Sequence, residues 1–220
     1  MKLSKDTLTL IKNYAAINGS LMLQEGNRLS TISEAKNVMA NATISETFAQ
    51  DFGIYDVNEF LGVVSLFQDP QLEFNNKYVT ISDGGKSKIK YYAAGDGVVR
   101  AAPAQIKFPE NANVSFDLDQ EQLAMILRTA SVLKASDVAI KGEDGDLKVI
   151  VSDKKNDTSN AYEVTIGSTD QDFIANLKVE NLKMLPGSYT VDVSSKKISR
   201  FSNKDIDLTY FVAIEADSKF

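Results

Sequence analysis

Basic side chains at helical spacing are the groups in this chain whose types and positions could do chemistry. If the opening "MKLSKDTLTLIKNY" forms a helix from Ser4, Leu8, Ile11, Tyr14 and Ala15 fall on one side. Lys5, Thr9, Lys12 and Ala16 fall on the other, with Lys2 just ahead on the same flank. In "DLDQEQLAMILRTASVL" Arg128 stands opposite the stripe Leu123, Ile126, Leu127 and Ala130, with Ala124 and Ala135 beside it and Glu121 one step away. A few cations among small residues suit light contact with the phosphates of a polyanion, without reading bases. An ordinary solvated helix face is the competing reading. The net charge of the chain is −6, so a basic, small-residue surface on both helices is an asymmetry that asks for a cause.

Other chemistry is poorly supplied. The chain has no His and no Cys, which removes imidazole general bases, Ser-His and Cys-His pairs, disulfides and the usual zinc sites. Carboxylates with Mg²⁺ remain, but they need several acids converging on one point. "DGGKSK" (Asp83 to Lys88) has Thr80 where a phosphate loop needs its first glycine, and the following "KIKYYAA" alternates like a strand, so it reads as a hairpin turn. "GEDGD" (Gly142 to Asp146) lacks the ligand spacing and terminal Glu of a calcium loop and is also read as a turn. No cofactor and no metal site is expected.

The elements that must position the cations come in a repeated order. A chain of 220 residues with 43% hydrophobic content can hold two domains, and no apolar run reaches the length of a membrane span or a signal-peptide core. Ser4 caps a helix to Ala16; "LMLQEG", "RLSTIS" and "VMANATIS" alternate like half-buried strands; "DVNEFLGVVSLF" is a second helix capped by Asp56, with the stripe Val57, Phe60, Leu61 and Val64. A hairpin from Lys77 to Ala94 follows. The stretch 95–109, "GDGVVRAAPAQIKFP", with its Gly and Pro, suits a connector. Then the order restarts: a helix capped by Asp119 with Gln122 at N3, strands at "DVAIKG", "LKVIVS" and "YEVTIG", a short helix "KVENLKML" stopped by Pro186-Gly187, and strands at "SYTVDVSS", "KISRFSN" and "LTYFVAIEA". Ser4 aligns with Asp119, Leu8 with Leu123, Ile11 with Ile126, and the Val57–Phe60 segment with Val179–Leu182. Helices with one apolar face need a sheet to cover them. The expected fold is α+β: two tandem repeated domains, 1–104 (with the connector 95–109) and 110–220, each with helices on one face of antiparallel sheets.

The segments "MKLSKDT", "GIYDVNEFLGVVSL", "LRTASVLKASDVAI", "NLKMLPGSY" and "FVAIEADS" closely resemble, in order and approximate spacing, the DNA polymerase sliding clamps of T4-type bacteriophages. The region from Glu34 to Gln50 and the connector match less well. The resemblance implies subunits of the DNA-clamp type assembling head to tail into a homotrimeric ring, with helices lining the hole and sheets forming the rim. It implies a non-enzymatic protein that encircles double-stranded DNA and tethers the replicative DNA polymerase, which binds by a C-terminal peptide. An ATP-driven clamp-loader complex would load it, and a late-transcription sigma and co-activator would be further partners. The resemblance also implies no membrane partner and an address in the cytoplasm of the infected bacterial host. Lys2, Lys5, Lys12 and Arg128 would face DNA, while the Asp56 to Phe67 helix brings no basic residue. Ile106, Phe108, Pro109, Val212 and Ala213 would form the client-peptide pocket. Ile89, Tyr91 and Tyr92 of one subunit would meet Tyr162, Val164 and Ile166 of the next. A ring-forming virion component and a carboxylate–metal nuclease are the alternatives from other function classes.

Overall fold

A computed structural model describes residues 1–103, 106–156 and 158–220. The chain divides into two compact units, Met1–Ala104 and Gln105–Phe220. Residues 104 and 105, inside the expected connector, lie outside the described residues.

In the first unit, helix α1 (Lys5–Ile17) starts where the Ser4 side chain accepts the Thr7 N–H, leaving one fewer orphan donor at the helix end. Strands β1 (Leu21–Leu23), β2 (Gly26–Ile32), β3 (Val38–Phe48) and β4 (Phe52–Ile54) follow; β2 pairs antiparallel with β3, and β1 with β4. Helix α2 (Val57–Ser65) is capped by Asp56, which accepts the N–H groups of Asn58 and Glu59. Strands β5 (Gln71–Phe74), β6 (Tyr78–Ser82) and β7 (Lys88–Tyr92) form an antiparallel sheet in that order. The Asp83-Gly84-Gly85 turn joins β6 to β7, with Gly84 at φ +80° and the Asp83 carboxylate accepting the Gly85 N–H.

The buried stripe of α1 is Thr7, Leu10, Ile11, Tyr14 and Ile17, whereas the periodicity points to Leu8, Ile11, Tyr14 and Ala15. Leu8 and Ala15 are only half-buried. The shift has a polar cause. Glu46 on β3 accepts the Thr7 hydroxyl at 2.6 Å and the Ser4 N–H, so a threonine turns inward with its hydroxyl satisfied. Burial pushes the Glu46 carboxyl up, but the hydrogen bonds from Thr7, Ser4 and Ser45 outweigh it and hold the group below its ordinary range.

In the second unit, β8 (Val114–Leu118) leads into α3 (Gln120–Leu133), whose start is a reciprocal capping box of Asp119 and Gln122. Strands β9 (Asp137–Glu143), β10 (Asp146–Ser152), β11 (Tyr162–Ser168) and β12 (Phe173–Lys178) form a sheet ordered β11-β10-β9-β12. Strands β13 (Tyr189–Ser194), β14 (Ile198–Asn203) and β15 (Leu208–Ala213) continue a second antiparallel ladder, β8 pairing with β13, β13 with β14 and β14 with β15. Leu118, Leu123, Ile126, Val138, Ile140 and Phe201 surround one small apolar void, so α3 and both ladders share a core.

The expected helix "KVENLKML" is a single 3₁₀ turn, Val179–Asn181. Asn181, Leu182 and Met184 are all buried, and Leu182 leaves helical geometry at φ −87°, ψ 52°. A segment anchored at so many points before Pro186 has no length in which to propagate a helix. Among the described residues the second unit therefore has one α-helix where the first has two, and the alignment of Val57–Phe60 with Val179–Leu182 pairs an α-helix with a turn. Strands β4, β5, β8 and β12 are absent from the sequence reading; each has six residues or fewer.

Candidate nucleic-acid interface

Two helices side by side on the first unit make a groove of about 680 Å³. Leu3, Leu8, Leu61, Val64 and Phe67 supply its apolar part, and Lys2, Lys5, Thr9 and Lys12 its polar part along α1. From α2 come Asn58, Gly62 and Ser65, without a basic residue. Lys5 and Lys12 are exposed and form no ion pair among the described residues. Lys2 differs: its Nζ lies 2.5 Å from Asp69 Oδ2, in the same groove. On the second unit Arg128 is exposed on α3 and likewise unpaired among the described residues, with Ala124, Met125 and Val132 exposed on the same helix. The arrangement offers isolated cations on low-charge helix faces, which can touch phosphates but hold them weakly. Among the described residues no group of three or more acidic side chains converges as a metal site.

Two strands lie at sheet edges. Among the described residues, β7 pairs only with β6 in the β5-β6-β7 sheet, and β11 only with β10 in the β11-β10-β9-β12 sheet. Edges of this kind present unpaired backbone groups to a neighbour. On β7, Lys88, Lys90 and Tyr92 point outward, Tyr92 being 66% exposed; Ile89 is half-buried. Tyr91 is committed to the core of its own unit. Its ring meets Phe60 edge-on at 5.4 Å, and its hydroxyl donates to the Asp56 carbonyl at 3.1 Å. Burial pushes the Tyr91 phenol up, despite that bond. On β11, Tyr162, Val164 and Ile166 alternate half-buried with exposed Glu163 and Thr165, and Glu163 is held by Lys148 of β10 at 3.3 Å. No residue of β11 is fully buried, although the three apolar ones share a face.

Two family models match the chain, one within each unit: "DNA polymerase processivity factor" over residues 4–98, and "gp45 sliding clamp, C terminal" over residues 115–216. The sliding clamp of Vibrio phage KVP40 is 31% identical over 98% of this chain and 100% of its own length, and that of Enterobacteria phage T4 is 34% identical over 99% and 98%. The chain belongs to the T4-type phage sliding-clamp family. Its fold is shared much more widely: the A. fulgidus PCNA solved with the C-terminal region of FEN-1 superposes with a TM-score of 0.69 at 12% identity, covering 96% of this chain and 95% of that one. The H. pylori beta clamp gives 0.69 at 12% identity, covering 95% of this chain and 63% of that one. The protein is therefore a processivity clamp, which encircles DNA and tethers a polymerase, and it is not an enzyme. None of its helices is long and apolar enough to cross a membrane, among the described residues.

The expected client pocket of the clamp is only partly brought together. Phe108 is half-buried, with its ring 6.5 Å from that of Phe211 on β15. The Arg200 guanidinium lies 4.4 Å over the Phe108 ring and is itself fixed by Asp192, through Nε at 2.9 Å and Nη2 at 2.7 Å. Ile106, Pro109 and Ala213 are half-buried nearby in the chain, but Val212 is 0% exposed and belongs to the core. Strand alternation explains the split, since consecutive side chains face opposite sides of the sheet. Arg200, Asp192 and Phe211 escaped sequence reading. The only signal was the alternation of "KISRFSN", which places Arg200 outward without naming its partner. Asp69 escaped it too, because only folding brings it to Lys2.

Proposed function

We propose that three copies of this clamp close head to tail into a ring, with the β7 edge of one subunit completing the β11 edge of the next, and with α1, α2 and α3 lining the hole. Each subunit contributes two domains, 1–104 and 110–220, joined by the connector 95–109. Lys5, Lys12 and Arg128 face the threaded duplex; Lys2 contributes less, because Asp69 already neutralises it. Across the subunit boundary Ile89 and Tyr92 adjoin Tyr162, Val164 and Ile166, while Tyr91 supports the strand from within. A C-terminal peptide of the replicative polymerase docks at Ile106, Phe108, Pro109 and Ala213, over the buried Val212. A clamp-loader ATPase opens and recloses the ring, and a late-transcription sigma and co-activator use the same platform, in the cytoplasm of the infected bacterium.

The observation that carries this reading is the pairing state of the lining cations. Lys5, Lys12 and Arg128 are exposed and unpaired among the described residues, yet so few that electrostatic affinity for DNA is weak. Weak contact permits sliding, so retention on DNA must be topological. The test is lifetime on DNA. Loaded onto nicked circles, the clamp should survive moderate salt that strips a simple phosphate binder, and cutting the circle should release it unless the ends are blocked. Equal lifetimes on circular and linear DNA would refute encirclement.

A further inference from the structure

The outer edge of β12 is already occupied, by a segment that turns at Ala216-Asp217, where the Ser218 N–H donates to the Glu215 carbonyl at 3.2 Å. Beyond β15 the chain turns back so that Glu215 to Phe220 runs along β12, on the side away from β9. One full antiparallel pair forms: Ile174 N–H donates to the Lys219 carbonyl at 2.9 Å and Lys219 N–H to the Ile174 carbonyl at 2.8 Å. The next position is irregular. The Asn176 carbonyl accepts the Glu215 N–H at 2.8 Å, but the Asn176 N–H donates to the Ser218 hydroxyl, at 2.9 Å, where a regular strand would offer a carbonyl. The segment spans the edge without completing its ladder.

Side chains supply the rest of the hold. The Asp217 carboxylate takes Lys154 Nζ at 2.8 and 3.0 Å and the Asn176 side-chain amide at 3.2 Å. Phe220 stacks on Phe173, rings 5.9 Å apart and 9° from parallel. Lys197 lies 5.2 Å over the Phe220 ring and donates to the Ser218 carbonyl at 2.6 Å. Phe220 is nevertheless 41% exposed, and the Asp217 side chain 57%. Ser218 between them is buried, with its hydroxyl on the Asn176 N–H. The two ends of the segment are held by partly exposed polar contacts and one aromatic face, so displacement must exchange one buried hydrogen bond and otherwise release contacts near the surface.

We propose that the β12 edge is a strand-addition site for an extended segment of a partner protein carrying an acidic residue followed three positions later by an aromatic one, and that Asp217–Phe220 holds this site in cis until such a segment displaces it. The bound segment states the recognition chemistry. A carboxylate fits between Lys154 and Asn176, and an aromatic ring fits between Phe173 and Lys197. A regular strand from outside would offer the Asn176 N–H a backbone carbonyl in place of the Ser218 hydroxyl, so the displacing ligand keeps that bond in regular ladder geometry while matching both side-chain contacts. This site is built from residues other than Ile106, Phe108, Pro109 and Ala213, and its test needs neither DNA nor a ring.

The probe is a labelled synthetic peptide with the sequence of residues 215–220, and a control peptide with lysine in place of its aspartate. Two full-length variants release the cis segment by different means. Asp217→Lys sets a cation against Lys154, and Lys219→Pro removes the donor of the one complete pair. Both should bind the probe about tenfold more tightly than the unaltered clamp, as expected if the site is free in about a tenth of unaltered molecules. Adding Lys154→Ala and Lys197→Ala to either variant should abolish the gain, and the control peptide should bind neither. In the unaltered clamp the Ile174 amide should exchange with solvent faster than the amides of β9. Equal affinity of unaltered and released clamps, or no binding by released clamps that retain their circular dichroism, would show that Glu215–Phe220 only seals the edge and would overturn the proposal.

Discussion

Lys2 Nζ and Asp69 Oδ2 lie 2.5 Å apart on the rim of the α1–α2 groove, both largely exposed. The pair separates Lys2 from Lys5 and Lys12, which have no such partner among the described residues. Each unshielded phosphate contact adds about 0.9 to the slope of log affinity against log salt. Lys12→Ala should lower that slope measurably in loading assays while Lys2→Ala changes it little, and Asp69→Asn should raise it by freeing Lys2. Lys12→Glu should weaken loading and processive synthesis, yet leave assembly and client-peptide binding intact. Equal effects of Lys2→Ala and Lys12→Ala would remove the distinction.

Assembly should fail at the two open edges. Proline at Tyr92 or at Val164 removes a backbone donor and stiffens the strand where a neighbour would pair. Sedimentation equilibrium should show the unaltered clamp at three times its subunit mass of 24.1 kDa and each variant shifted toward the monomer. Circular dichroism serves as the control for folding of the unit. A trimer unaffected by both changes would exclude β7 and β11 as the interface.

Client binding should depend on the Phe108 cluster. Arg200 and Phe211 hold the Phe108 ring from two sides, so Phe108→Ala and Ile106→Asp should each weaken binding of a polymerase-tail peptide about tenfold, or about 1.4 kcal/mol. Val212→Ala should act differently. Its side chain is fully buried, so the loss should appear in thermal stability, at about 1–2 kcal/mol, with peptide affinity nearly unchanged. Calorimetric titration and melting curves together separate the two effects.

Acid stability should turn on Asp137, which is 2% exposed. Burial pushes its carboxyl up, but hydrogen bonds from Lys178 Nζ at 2.6 Å and from Ser136 outweigh this and hold it below the ordinary range. A carboxyl lowered by folding adds stability above its unfolded pKa of about 3.9, and that stability fades as pH falls through the lower folded value. Lys178→Met leaves burial dominant, so the carboxyl should rise above its unfolded value. The contribution of Asp137 then reverses in sign, decreasing as pH rises above the unfolded value of about 3.9. At neutral pH the variant should lose about 3 kcal/mol, with Lys154, 3.8 Å away, limiting the loss. Denaturant melts at pH 4 and pH 7 test both the sign and the size.

The starts of the three helices were legible in the sequence because their causes are local. Ser4, Asp56 and Asp119 each cap the helix that follows them, and a cap needs only the next three residues. The hairpin at Asp83-Gly84-Gly85 was legible for the same reason, and so were Lys5, Lys12 and Arg128 as exposed cations, since a helical period fixes which face they share. Family membership also came from the sequence, through ordered segments rather than any single motif. What the sequence left open depended on partners distant along the chain. Thr7 turns inward because Glu46 accepts its hydroxyl. Lys2 is paired by Asp69, Phe108 is pinned by Arg200, and the edge of β12 is closed by Lys219 and Phe220. Val179–Leu182 stops at a single 3₁₀ turn because Asn181 and Leu182 are committed to the core where the backbone leaves helical geometry. Caps, turns and periodic faces are decided within a few residues, where chain connectivity supplies the partner. Which buried polar group is satisfied, and which cation stays free, is decided only when folding brings the partner from elsewhere.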